Sequence, residues 1–506
     1  MKHWPGSYLP ALLIAGLALL PILVLFDLAW GPEPVFQARQ WHVLTSTLAL
    51  MGLTVLGAVL IGVPLALLTA LVRLPWAPLW LIMLAAPLAM PSYLGAFAFF
   101  AAFGPGGEIE RTLGIATPKA EGLLGASLVM ALYTYPFVLL TTRAALRSQD
   151  GSLIHAARSL GLSLWGCIWR VVLPRAAAGI AAGALLAGLY ALSDFGTPAI
   201  MNVDTFTRMI FVEYNAFGLS QAAVLSLQLL LLVGLILFLE SRVRATEERA
   251  GRTLVLWPRP WQVPLALLGV LPVFVLAILL PLGIFLLWLL RDGAGEFDYQ
   301  LAWNSTYVSL LAAGVAVLAA LPMAYAALAG RVGRLAERIS YLGFGVPGIV
   351  MGTALVHLGL KLPWLYQTTA VLVLAYVLRF LPLAVGAIRT SVAALEGSME
   401  RAARVLGAGP AETFRRVNFP LTLRGVIAGG ALVFLEVMRE LPATLLLAPI
   451  GFETLATYMW RVYEAGYFGQ AAVPGLLLIL MSGLGLALMF FGERRAEFEW
   501  YEEGRD

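Results

Sequence analysis

Charge inside otherwise apolar stretches marks the places where this sequence concentrates chemistry. Glu436, Arg439 and Glu440 sit in such a stretch and are followed at once by the helix-breaking pair Leu441-Pro442. At the corresponding place in the first half stand Tyr190, Ser193 and Asp194, then Phe195-Gly196, so that Asp194 matches Glu440. Ionisable side chains in bilayer-spanning segments are costly and face a cavity or a partner. Two readings stand. In one, Arg439, or Arg379 from a neighbouring run, neutralises Glu436 or Glu440 as a structural pair. In the other, Asp194 and Glu440 line the outer gate of a pathway and are seen by what passes through it. The residues for ATP chemistry are missing: a phosphate-cradling loop needs lysine followed by Ser or Thr, whereas Lys2 precedes His3, Lys119 precedes Ala120 and Lys361 precedes Leu362. Hydrolysis, if used, has to be supplied by another chain. His3, His42, His155 and His357 lack metal-ligand spacing, and whether a metal contacts the chain is open from sequence. Cys167 is the single cysteine and reads as a small packing residue.

The elements that position these charges are long apolar helices. Of the 506 residues, 60% are hydrophobic and 12% charged, against roughly 25% charged in ordinary soluble domains. A bilayer crossing takes about 20 apolar residues. Twelve runs of that kind are expected: Leu9–Trp30, Leu48–Leu71, Trp76–Phe103, Leu123–Leu146, Ala176–Ile200, Ala222–Leu239, Pro264–Leu290, Ser305–Ala329, Ile339–Leu360, Thr369–Ile388, Leu423–Met438 and Ala471–Phe491. The first lacks a small-x-small cleavage signal and reads as a retained helix. Pro64, Pro91, Pro136 and Arg143 recur as Pro322, Pro347, Pro382 and Arg389, so the second half replays the first. The predicted domains are 1–245 and 263–506, joined by an arginine-rich linker at 246–262.

Between the fourth and fifth runs of each half lies a repeated loop. Ser152–Pro174 and Ser398–Pro420 align without a gap at an offset of 246, with nine of 23 positions identical. Each reads as a short helix capped by Ser152 or Ser398, stopped by a left-handed Gly161 or Gly407, and followed by a second helix that ends near Pro174 or Pro420. Ala156-Ala157-Arg158 and Ala402-Ala403-Arg404, each with its glycine and proline, resemble the cytoplasmic "EAA" loop of permease subunits in binding-protein-dependent ABC importers. The family's leading glutamate is replaced by His155 and Arg401, so no ion pair made by that glutamate carries over. Arg439-Glu440-Leu441-Pro442-Ala443-Thr444 and Gly451-Phe452-Glu453-Thr454 are similar to the fused, two-domain ferric-iron permeases, with Ser193-Asp194-Phe195-Gly196-Thr197-Pro198 as the first-half counterpart. Fused permeases for thiamine, phosphonates or polyamines are near relatives.

The resemblance implies the all-α type I importer permease fold, an integral membrane protein with two homologous six-helix halves that moves Fe(III). It implies two copies of an ATPase subunit, which carry the ATP and Mg, docked on the loops, and a periplasmic or lipid-anchored binding protein that delivers cargo. No cofactor is expected on this chain itself. Ser152, His155, Ala156, Ala157, Arg158, Gly161 and Pro174, with Ser398, Arg401, Ala402, Ala403, Arg404, Gly407 and Pro420, are the implied coupling residues. Orientation follows from the basic residues: with Met1 inside, 24 lie on the cytoplasmic side, seven outside and two within spans. The positive-inside rule then places both loops and both termini in the cytoplasm of a bacterial inner membrane, and accounts for the basic excess through lipid topology rather than nucleic-acid binding. A secondary transporter driven by an ion gradient is the competing class, and it gives the paired loops no purpose.

Overall fold

The computed structural model describes residues 7–30, 38–242, 261–293, 297–395 and 397–484. The expected linker falls outside the described residues except for its last two positions, as does the end of the last expected span. Among the described residues the chain is helical, with nine helices long and apolar enough to cross a membrane and two bent pairs that pass the same criterion together. The apolar helix Phe468–Leu484 covers the described part of the twelfth expected run.

Boundaries differ from expectation where polar residues find partners. The second span starts at Ala38 rather than Leu48, because Arg39 pairs with Glu213 at 3.1 Å and the helix extends past its apolar stretch. The third and ninth runs are broken rather than continuous. Ala77–Leu88 and Ser92–Leu113 meet at 86°, and Arg331–Gly345 and Gly348–Lys361 at 102°. Pro91 and Pro347 cause both breaks: a proline pushes the preceding residue out of the helical region, and each proline then stands as the N-cap of the helix that follows.

Within each half the fourth and fifth spans are clamped by a pair of glycines four residues apart, Gly179/Gly183 and Gly425/Gly429. A Cβ on Gly183 would lie 2.5 Å from Val138 Cα, and one on Gly429 2.9 Å from Ala384 Cα. Small residues at this spacing let helix backbones approach in a bilayer, where packing replaces the hydrophobic effect as the driving force.

The two halves also exchange their leading helices. Tyr8–Ala29 packs on Arg331–Gly345, Tyr299–Ala329 and Gly348–Lys361 of the second half, and Leu280–Asp292 packs on Ser92–Phe103 of the first. An ion pair fastens each exchange. Asp27 pairs with Lys361 and lies 3.7 Å from His357 Nε2. Buried Glu108 accepts from Trp288 Nε1 at 2.9 Å and from Arg291 Nη1 at 3.0 Å. Glu108→Ala strands the fully buried indole N–H of Trp288, which costs about 1–3 kcal/mol. It is expected to lower the thermal midpoint of the detergent-purified chain clearly, whereas exposed Asp292→Ala changes it far less.

Candidate coupling loops and gate

The two repeated loops fold alike at their glycines. The first short helix runs Ser152–Ser159 and its counterpart Gly397–Val405. Past them the same three hydrogen bonds form in each copy: Leu160 to Ala156 O, Gly161 to Arg158 O and Leu162 to Ala157 O in one, Leu406 to Ala402 O, Gly407 to Arg404 O and Ala408 to Ala403 O in the other. This closure needs a left-handed residue, and Gly161 and Gly407 supply it at φ 91° and 90°.

Two expectations need correction. Ser152 does not cap the first helix but is its first residue. Asp150 does the capping, accepting the Ser152 N–H at 3.0 Å and its hydroxyl at 2.7 Å. A carboxylate two residues upstream is the stronger acceptor, and these bonds hold the Asp150 carboxyl below its usual range. Ser398 likewise lies inside its helix, which begins at Gly397. Pro174 and Pro420 do not end the second helix either. Each sits in the first turn of a longer one, after a π-turn in which Leu173 N–H reaches Ile168 O and Phe419 N–H reaches Phe414 O. The wider turn re-pairs the backbone around a residue without an N–H. Loop and span therefore form one rod, Leu164–Ser193 and Ala411–Met438, the first about 45 Å long at 1.5 Å per residue.

The loop surface divides the alanine pairs. His155, Ala156 and Arg158 are exposed while Ala157 is buried; Arg401, Ala402 and Arg404 are exposed while Ala403 is half-buried. Arg404 is drawn to Glu400 at 2.5 Å. Leu160 and Leu406, absent from the expected coupling set, stand 86% and 87% exposed beside the glycines. Their identity across the repeat was the available signal. Trp165 and Trp169 extend the apolar face on the first loop alone. Cys167 is buried, as a packing residue should be.

At the other end of the rods the acids occupy matching positions. Asp194 follows Leu173–Ser193 and caps the short helix Gly196–Ile200, accepting the Gly196 N–H at 3.2 Å. Glu440 follows Phe419–Met438 and accepts the Ala443 N–H at 3.2 Å at the start of Pro442–Leu447. The structure brings Asp194, Glu436, Arg439 and Glu440 together, with Arg379, around one cavity of about 90 Å³ between the halves. Both arginines are engaged: Arg379 pairs with Glu440 and Arg439 with Glu436. Arg439 also donates across to the first half, to Leu88 O at 2.6 Å, at the carbonyl end of the broken third span. Asp194 has hydroxyl and amide partners instead. Ser92 Oγ donates to it at 2.9 Å, and Tyr190 OH lies 3.3 Å from Ser92 Oγ. Ser92 and Tyr93 were not singled out by sequence, although the recurrence of Pro91 as Pro347 pointed at this turn. Among the described residues no group of three or more His, Cys, Asp or Glu side chains could hold a metal ion.

Paired loops, rods ending at charged breaks and a cavity between two similar halves define a membrane transport subunit. The family described as binding-protein-dependent transport system inner membrane component matches residues 58–245 and again 316–497, and the chain belongs to it: a multi-pass inner-membrane permease of an ABC transporter. The chain is 31% identical over 477 residues to the Fe(3+)-transport system permease protein FbpB 2 of Haemophilus influenzae, covering 90% of this chain and 91% of that one. It is 30% identical over 250 residues to a probable molybdenum ABC transporter permease of Haloferax volcanii, covering 47% of this chain and 91% of that one. It is 21% identical over 515 residues to the ferric transport system permease protein FbpB of Actinobacillus pleuropneumoniae, covering 93% of this chain and 73% of that one.

Proposed function

We propose that this chain moves Fe(III) inward through a path between its two halves, powered by two copies of an ATPase subunit and supplied by a periplasmic or lipid-anchored binding protein. The observation that carries the reading is the pair of loops with one hydrogen-bonding pattern, each presenting a bare apolar residue beside its glycine. Two sockets with one backbone pattern on one chain call for two plugs of one kind. Both loops and both termini face the cytoplasm on this reading, in keeping with the distribution of arginine. ATPase closure draws the two loops together, the rods carry that displacement through the membrane, and the breaks at Asp194 and Glu440 open the outer gate. Switching between discrete packings, rather than continuous bending, is how small shifts at one site become large ones at another.

Iron is favoured as cargo because the ferric permease of Haemophilus influenzae matches over both halves, while the molybdenum permease matches over only about half of this chain. The test is uptake by proteoliposomes holding the assembled transporter, offered radiolabelled Fe(III), molybdate, sulfate, thiamine and phosphonate, each with its binding protein. Uptake of Fe(III) alone is the expected result, and uptake of another cargo without iron overturns the assignment. A second expectation concerns energy: the purified chain by itself releases no phosphate from ATP, and hydrolysis comes only with the ATPase subunit added. Phosphate release by the isolated chain would contradict the division of labour.

A further inference from the structure

The gate cavity has two unlike walls. On the second-half wall each glutamate is answered by an arginine, Glu440 by Arg379 and Glu436 by Arg439, and Arg439 is further anchored by the carbonyls of Leu88 and Ala89. The first-half wall offers Ser92, Tyr93, Tyr190, Ser193 and Asp194, whose side-chain polar atoms are all oxygens. Three acids against two arginines leave a formal charge of −1 on the lining, and the acid without a cation is Asp194. Its partners are neutral: the Ser92 hydroxyl, itself within 3.3 Å of Tyr190 OH, and the Gly196 N–H. Tyr93 is 6% exposed, and its hydroxyl has no hydrogen-bond partner. Tyr93 nevertheless lines the same cavity as Glu440, Tyr190, Arg439 and Asp194. A buried polar group left unmatched in a native structure calls for an explanation such as an ion or water that belongs there.

We propose that Asp194, Tyr190, Ser92 and Tyr93 form a waypoint for a bare, hard trivalent cation on the first-half wall of the gate. The inference rests on the reading of this chain as an Fe(III) permease and names the side chains that meet the cargo. Hard cations take oxygen donors, carboxylate and hydroxyl among them, over nitrogen and sulfur. The space of about 90 Å³ has room for an ion with several waters, since one water needs only about 10–15 Å³ of such space. One carboxylate with neutral hydroxyls binds enough to admit an ion and too weakly to trap it, which is what passage requires. With Glu440 and Glu436 already answered by Arg379 and Arg439, the opposite wall offers a cation no free carboxylate, and the contact falls to this one. The pseudo-symmetry is thereby divided: the second half supplies the latch and the first half the contact.

Tb(III), a hard oxygen-seeking trivalent ion whose emission is sensitised by adjacent aromatic side chains, probes the site in the full chain embedded in nanodiscs of zwitterionic lipid. Saturable sensitised emission is expected from the unaltered protein. Asp194→Asn should weaken the binding about tenfold, one decade in Kd, and Tyr93→Phe with Tyr190→Phe should weaken it and also dim the emission at saturation. Tyr458→Phe, a half-buried tyrosine on Leu455–Ala465 that does not line this cavity, should leave both unchanged. Emission from the unaltered chain that is absent, or that neither variant alters, overturns the waypoint. Because the tyrosine changes remove only hydroxyls, a folded variant is available even if Asp194→Asn is lost. In the assembled transporter the double tyrosine variant should lower Fe(III) uptake about tenfold, again one decade. No Fe(III) uptake by the unaltered transporter refutes the cargo reading, whereas normal uptake by both the unaltered and the double-variant transporter refutes the waypoint alone.

Discussion

Replacing Gly161 and Gly407 together by valine is expected to abolish ATP-driven uptake while leaving the chain in the membrane at its usual level. Both glycines hold a left-handed backbone, at φ 91° and 90°, and nothing lies within 4 Å of where a Cβ would stand. The change therefore meets no packing obstacle, and its whole effect falls on backbone conformation. A side-chain-bearing residue forced into such a region costs about 1–3 kcal/mol, and a β-branched one is the least tolerant. Each loop then closes roughly 5- to 150-fold less often, at 1.4 kcal/mol per decade, and coupling needs both. Opening the turn displaces Leu160 and Leu406 from beside the exposed alanines Ala156 and Ala402. Aspartate is the milder test, because its short polar side chain supports the left-handed state. The readouts are co-purification of the ATPase subunit and substrate-stimulated hydrolysis in proteoliposomes. Full uptake by the double valine variant would remove the loops from the coupling path.

The sequence revealed what repeats and concealed what depends on packing between repeats. The offset of 246 joined Gly161 to Gly407 and Asp194 to Glu440, because backbone conformation at a turn and charge at a break are each fixed within a few residues. Pro91 and Pro347 also announced themselves, but only as a recurring pair. Whether a proline bends a span slightly or by 86° and 102° is decided by the helices around it. The exchange of leading helices left no local trace: Asp27 and Lys361 are 334 residues apart, and neither position alone implies the other. Ser152 misled because serine before a helix is the usual cap, whereas Asp150 two residues earlier was the better acceptor. Trp165 and Trp169 carry no local mark that sets them apart in sequence, and their exposure follows from a rod that continues beyond its apolar stretch. At the gate the acids were legible, but the structural-pair and pathway readings could not be separated in one dimension. In the structure the arginine pairs and the unpaired acid coexist on opposite walls of one cavity.

Arg379→Ala should then be the most damaging single change at the gate, and for a reason other than transport. Glu440 is 7% exposed and pairs with Arg379, keeping otherwise the Ala443 N–H as a side-chain partner. Removing one member of a buried ion pair strands the other charge and costs about 3–5 kcal/mol, enough to deplete folded protein in the membrane. Adding Glu440→Gln removes the stranded charge, so the double variant is expected to regain most of the yield and thermal midpoint lost by the single one. Failure of that rescue would mean that Arg379 acts through packing rather than charge. The same logic dictates how the gate is tested. Glu440→Gln by itself strands Arg379 and confounds folding with transport, whereas Asp194 is held by neutral partners and its amide replacement still accepts from Ser92 or Gly196. Asp194→Asn should therefore keep its level in the membrane and lose uptake. Combined with Arg379→Gln and Glu440→Gln it strips the cavity of all charge but the Arg439–Glu436 pair. Unchanged uptake by that triple variant, at normal abundance, would show that the acids hold the helix breaks in place and have no part in the passage of cargo.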